Sequence, residues 1–80
     1  MSIELTIIDM KMKQIKLFVD ESTTIGEIRK KFVEKGGDGG NNQWKYDGNI
    51  LQDDNQKLNN IQGFDREGMA FSVTSNVRGG

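Results

Sequence analysis

The sequence predicts an α+β domain in which one helix covers a single face of a mixed sheet of four to five strands. Three observations lead there. Apolar and polar residues alternate over residues 3–7, 15–19 and 69–73, the period of a strand with one buried face. Between the second and third of these runs, the segment from Thr24 to Lys35 changes to helical spacing, with a capping signature at its start and glycines after its end. The chain of 80 residues has no internal repeat and no linker, so it forms one domain. A lone helix and a sheet with one apolar face bury their apolar surfaces against each other.

The elements follow in order. Ile3, Leu5 and Ile7 form the inward face of a first strand. The polar stretch from Asp9 to Lys13, with Met10 and Met12, fits a hairpin loop. Ile15, Leu17 and Val19 face inward on the second strand, which leaves Ile8 and Phe18 pointing outward. Thr24 with Glu27 three residues later is a capping box: the Thr hydroxyl accepts from the Glu27 amide, and the carboxylate reaches back to the Thr24 amide. Ile25, Ile28 and Phe32 then share one helical face. Glu27 lies near the start and Lys31 and Lys35 toward the end, the arrangement the helix dipole favours. Gly36 or Gly37 supplies the left-handed residue that stops the helix.

The glycine-rich stretch from Gly36 to Asn42 reads as a loop. A phosphate cradle needs its glycines before a helix, closed by Lys and Ser or Thr, and here they follow the helix. Trp44 and Tyr46 share one face of a short strand. Asp47-Gly48 turns the chain into another, where Ile50 and Leu51 restart the apolar pattern. Leu58, Ile61 and Phe64 lie in an irregular polar stretch and plug one end of the core. Met69, Phe71 and Val73 face inward on the last strand. The domain therefore spans residues 1–73, and residues 74–80 form a mobile tail ending in Gly79-Gly80.

Composition narrows the function. Eleven basic residues face twelve acidic ones, and the one basic cluster, Arg29-Lys30-Lys31, reads as a solvated helix face. Nucleic acid is therefore not the expected ligand, because that affinity rests on clustered Lys and Arg. No apolar run is long enough for a membrane span. The chain has neither Cys nor His. This removes disulfides, a thiol nucleophile, and the commonest general base and metal ligand. The adjacent acidic pair Asp53-Asp54 lies in a turn-like stretch and makes no paired-carboxylate site. The expectation is a folded monomer without catalytic activity, cofactor or metal, located inside the cell in cytoplasm or nucleus.

This order of elements resembles the ubiquitin-like modifiers, ubiquitin included. The likeness runs from Ile3 to Gly80 and rests on "TIGEIRKKF", "YDGNIL", "LNNIQGFDREGMAFSV" and the final "VRGG". It implies a ubiquitin-like β-grasp fold. It also implies that the Gly80 carboxylate is activated with ATP as an acyl-adenylate, carried as a thioester on enzyme thiols, and passed to a lysine amine. Partners on this view are activating and conjugating enzymes, deconjugating proteases and target lysines. Gly79 and Gly80 suit a narrow catalytic channel because glycine has no Cβ. Arg78, Val77 and Asn76 are the tail positions such enzymes would read, with the Arg78 guanidinium as a fixed donor fork.

The departures from the family mark a divergent member, not ubiquitin itself. Ubiquitin's apolar recognition patch is matched here by Met10, Lys45 and Ser72, with Ile8 and Phe18 as further exposed apolar positions. An ammonium at the centre of that patch costs several kcal/mol against an apolar receptor unless it is paired, so ubiquitin's usual receptors should bind poorly. Asn76 replaces an arginine that helps select the activating enzyme. Asn49 and Arg66 stand where the two lysines most used for ubiquitin chains would be. Two other readings stay open: an interaction domain that is never conjugated, and a sulfur carrier with a terminal thiocarboxylate.

Overall fold

Alternation at the N-terminal end produces the first hairpin. Strand β1 (Ile3–Ile8) buries Ile3, Leu5 and Ile7, and strand β2 (Gln14–Val19) buries Ile15, Leu17 and Val19. They pair antiparallel, with Ile3 opposite Val19 and Ile8 opposite Gln14. The computed structural model describes residues 2–37 and 42–75. Asp9 organises the connecting turn. Its carboxylate accepts from the backbone amides of Lys11 and Lys13, each at 2.9 Å, and its carbonyl accepts from the Met12 amide at 3.0 Å. Met12 closes the turn at φ 64°, a left-handed conformation that a side chain adopts at a cost of about 1–2 kcal/mol.

Helix α1 (Ile25–Glu34) has the expected caps. Thr24 Oγ1 accepts from the Glu27 amide, and the Glu27 carboxylate accepts from the Thr24 amide. At the other end the two glycines have separate tasks. Gly36 takes the left-handed position at φ 99° and donates to the Val33 carbonyl, while Gly37 donates to the Phe32 carbonyl. This is a Schellman closure. Gly37 is glycine for a different reason: a Cβ there would lie 2.3 Å from the Phe32 ring.

The remaining strands are β3 (Asn42–Tyr46), β4 (Asn49–Leu51) and β5 (Met69–Ser75), with a 3-10 turn at Leu58–Asn60. The sheet order is β2-β1-β5-β3-β4. β1 and β5 run parallel at the centre, and the other neighbours are antiparallel. The expected four to five strands are five. Asp47 and Gly48 carry the β3–β4 hairpin at φ 51° and 84°, the positive pair that a two-residue turn of this hand needs.

Every residue assigned to an inward strand or helix face lies in one buried cluster, joined by Leu51, Leu58 and Ile61 and flanked by half-buried Tyr46 and Phe64. Trp44 stands edge-on to Phe32 and to Phe71, with centroids 5.2 and 6.2 Å apart. The polar stretch before the 3-10 turn is tied to the start of α1 by main-chain bonds. The Ile25 and Gly26 amides donate to the Gln56 and Asp54 carbonyls, and the Leu58 amide donates to Thr23. Arg29 adds an ion pair to Asp54 at 3.0 Å and a hydrogen bond to the Leu51 carbonyl at 3.1 Å, while its guanidinium lies 5.8 Å from the Trp44 ring centroid.

One boundary moves. The domain was expected to end at residue 73, yet β5 continues through Thr74 and Ser75, paired with Gln43 and Asn42 of β3. The expected boundary followed the loss of apolar side chains. Backbone pairing needs only a neighbouring strand, and β3 provides one.

Candidate functional site

Two places come into question: the terminal glycines and the outer face of the sheet. Gly79, Gly80, Arg78, Val77 and Asn76 lie outside the described residues. Ser75 is the last described residue. β5 passes the end of β1 at the Ile8–Ser72 pair and continues beside the β1–β2 turn. The five residues that follow Ser75 have a contour of at most roughly 18 Å, shorter than the roughly 23–25 Å available had the strand ended at Val73.

The outer face is built by strand register. Side chains opposite to the core set point outward, so Gln14, Ile8, Ser72, Lys45 and Ile50 form one continuous row across all five strands. Three residues of the expected patch, Ile8, Lys45 and Ser72, are therefore neighbours. Ser72 is exposed, and Ile8 and Lys45 are half-exposed. Met10 stands beyond the end of β1 in the turn, to one side of this row, 57% exposed, and lines an open depression of about 280 Å³ with Lys11, Lys13, Asn42 and Val73.

Phe18 does not belong with them. It is exposed, but its cross-strand partner is Glu4, four residues before Ile8. That separation is about 13 Å along the sheet. Phe18 belongs instead to the β2 edge, near Lys16, Lys31 and Lys35.

Sequence reasoning passed over Ile50 as a surface residue. It is 46% exposed and stands directly opposite Lys45. The signal was present: a two-residue Asp47-Gly48 turn pairs Tyr46 with Asn49, and thereby places Ile50 against outward-facing Lys45.

The electrostatics of the face are uneven. Lys16 is paired with Glu4 at 3.5 Å. Among the described residues, Lys45 has no carboxylate within ion-pair distance. Two groups elsewhere have shifted acidities. The Glu27 carboxyl is held below its ordinary value, first by the Thr24 backbone amide and then by the Thr24 hydroxyl. The Tyr46 phenol is pushed up, chiefly by burial and then by Asp47 and Asp65, and donates to the Gly63 carbonyl at 2.7 Å. Among the described residues, no group of three or more acidic, His or Cys side chains gathers to hold a metal, and no helix is long and apolar enough to cross a membrane.

Comparison with solved structures then decides the fold. The ubiquitin-like domain of an Arabidopsis thaliana protein superposes with a TM-score of 0.78 at 23% identity, over 96% of this chain and 80% of that one. The fold is ubiquitin-like. Caldiarchaeum subterraneum ubiquitin matches over 99% of both chains, with a TM-score of 0.74 at 21% identity. A chain from a structure described as molecular mimicry of SUMO that promotes DNA repair matches over 90% of this chain and 89% of its own, with a TM-score of 0.71 at 19% identity. No protein-family model and no curated protein matches the chain. The ubiquitin-like β-grasp is thus divergent in sequence: one helix on a five-stranded mixed sheet, as expected.

Proposed function

We propose that this chain is a protein modifier, activated at its Gly80 carboxylate by partner enzymes and joined to lysine amines of target proteins. The observation that carries the reading is the Arg78-Gly79-Gly80 ending on a ubiquitin-like domain whose last strand is described as far as Ser75. The near-complete overlap with Caldiarchaeum subterraneum ubiquitin supports the same reading, since it extends over 99% of both chains. In the reaction the terminal carboxylate attacks ATP and releases pyrophosphate. An enzyme thiol then displaces AMP, and a lysine amine displaces that thiol to leave an isopeptide bond. The chain itself is the acyl group transferred, and the catalysts are its partners. Such a modifier works in the cytoplasm or nucleus.

The test is adduct formation by tagged full-length protein in lysate of its source cells. ATP-dependent, reductant-resistant adducts are expected with intact protein and none with Gly80 deleted. Equal adducts from both forms, or none from either, would defeat the proposal. The exposed row on the outer face favours a second reading, a domain that binds partners without conjugation. On that reading the same partners are recovered whether or not Gly80 is present.

A further inference from the structure

We infer that the outer sheet face selects partners carrying a carboxylate flanked by two apolar anchors, and that Lys45 is its specificity-determining residue. The inference does not depend on conjugation at Gly80. Ile8, Ser72, Lys45 and Ile50 occupy successive strands β1, β5, β3 and β4 in one row. Neighbouring strands are about 4.8 Å apart, so the two isoleucines are separated by about 14 Å, with the ammonium stem one strand from Ile50 and two from Ile8. Ile50 is 46% exposed, and Ser72 between the anchors is open to solvent.

Charge complementarity identifies the occupant. Lys16, on the same face, already has Glu4, whereas Lys45 has no carboxylate within ion-pair distance among the described residues. Lys11 at the hairpin end adds exposed positive charge, while the Lys13 ammonium lies beside Gly36 at the end of helix α1. A wholly apolar partner would strip water from the Lys45 ammonium with nothing in exchange, and would be rejected. A partner carboxylate placed over Lys45 replaces that water with a charge-assisted bond, and apolar side chains on either side cover Ile8 and Ile50. The acid is required nearer the Ile50 anchor, because Lys45 lies on the strand next to it.

Selection of displayed random peptides against the full-length protein tests this without presupposing a partner. The expected pool is enriched in Asp or Glu with apolar residues on both sides. Its members should shift the backbone amide resonances of Ile8, Lys45, Ile50 and Ser72, and bind several-fold more weakly as salt rises. Lys45→Glu should weaken them at least tenfold with an unchanged amide spectrum elsewhere. Lys45→Ile should redirect selection to peptides without acid. A pool without acidic enrichment, binding that maps away from this row, binding indifferent to Lys45→Glu, or no binders at all would overturn the inference.

Discussion

Replacing Arg29 by alanine tests how the 52–57 segment is held against helix α1. Arg29 makes three contacts. Its hydrogen bond to the Leu51 carbonyl is part-buried and carries a charge, worth about 1.5–3 kcal/mol. Its ion pair with Asp54 joins side chains 32% and 59% exposed, and screening holds that to about 0.2–1 kcal/mol. Its position over Trp44 adds about 0.5–1 kcal/mol. Against these stands Nε, buried with no hydrogen-bond partner, whose desolvation costs about 1–3 kcal/mol and disappears with the side chain. The balance is a loss of about 2 kcal/mol. In a domain this small, that lowers the melting temperature by about 8–16 °C. Trp44 is the sole tryptophan and is buried, so its fluorescence in urea reports unfolding directly. Arg29→Lys keeps a charge for Asp54 but not the planar fork, and should recover less than half of the loss. A cycle with Asp54→Ala should give a coupling below about 1 kcal/mol. An Arg29→Ala variant within about 0.5 kcal/mol of the parent would refute this assignment of energies.

Other outcomes follow from the caps and the close contacts. Gly37→Ala places a methyl against the Phe32 ring and should cost about 1–3 kcal/mol in urea unfolding; no change would mean the ring moves aside without penalty. Thr24→Ala removes the N-cap and should cost about 1 kcal/mol. Glu27 titrates below its ordinary value of 4.5 in the folded state. Its stabilisation is therefore present above that value and is lost as pH falls through the folded one; Glu27→Gln should flatten the stability profile in that acid window. Tyr46 titrates above 10.0 when folded, so the stability from its neutral hydroxyl is present below that value and is lost as pH rises through the folded pKa. Tyr46→Phe should remove that alkaline loss and cost about 1 kcal/mol at neutral pH.

Much of this architecture was legible because it rests on local patterns. Period-2 alternation identified the inward residues of β1, β2 and β5, and the Thr24–Glu27 spacing placed the helix start within hydrogen-bonding geometry. What escaped depended on long-range pairing. The extension of β5 through Ser75 comes from Asn42 and Gln43, more than thirty residues earlier, and no side-chain pattern in Thr74-Ser75 announces it. The division of labour between Gly36 and Gly37 depends on where the Phe32 ring lies in the folded core. The outer face was half legible. Ile8, Lys45 and Ser72 fall into one row, but Phe18 shares their outward direction and not their position, since direction follows from period while position follows from register. Ile50 entered only with the β3–β4 register.

The account rests on the Gly80 carboxylate as an acyl donor, and Arg78 provides a direct readout. Trypsin cuts after Arg78, so any lysine modified by this chain keeps a Gly79-Gly80 remnant. Protein labelled with heavy glycine, added with ATP to lysate of its source cells, should leave heavy Gly-Gly on lysines of other proteins. The remnant should vanish when Gly80 is deleted. Intact labelled protein that remains stable and folded in that lysate, yet leaves no heavy remnant on any lysine, would contradict the account.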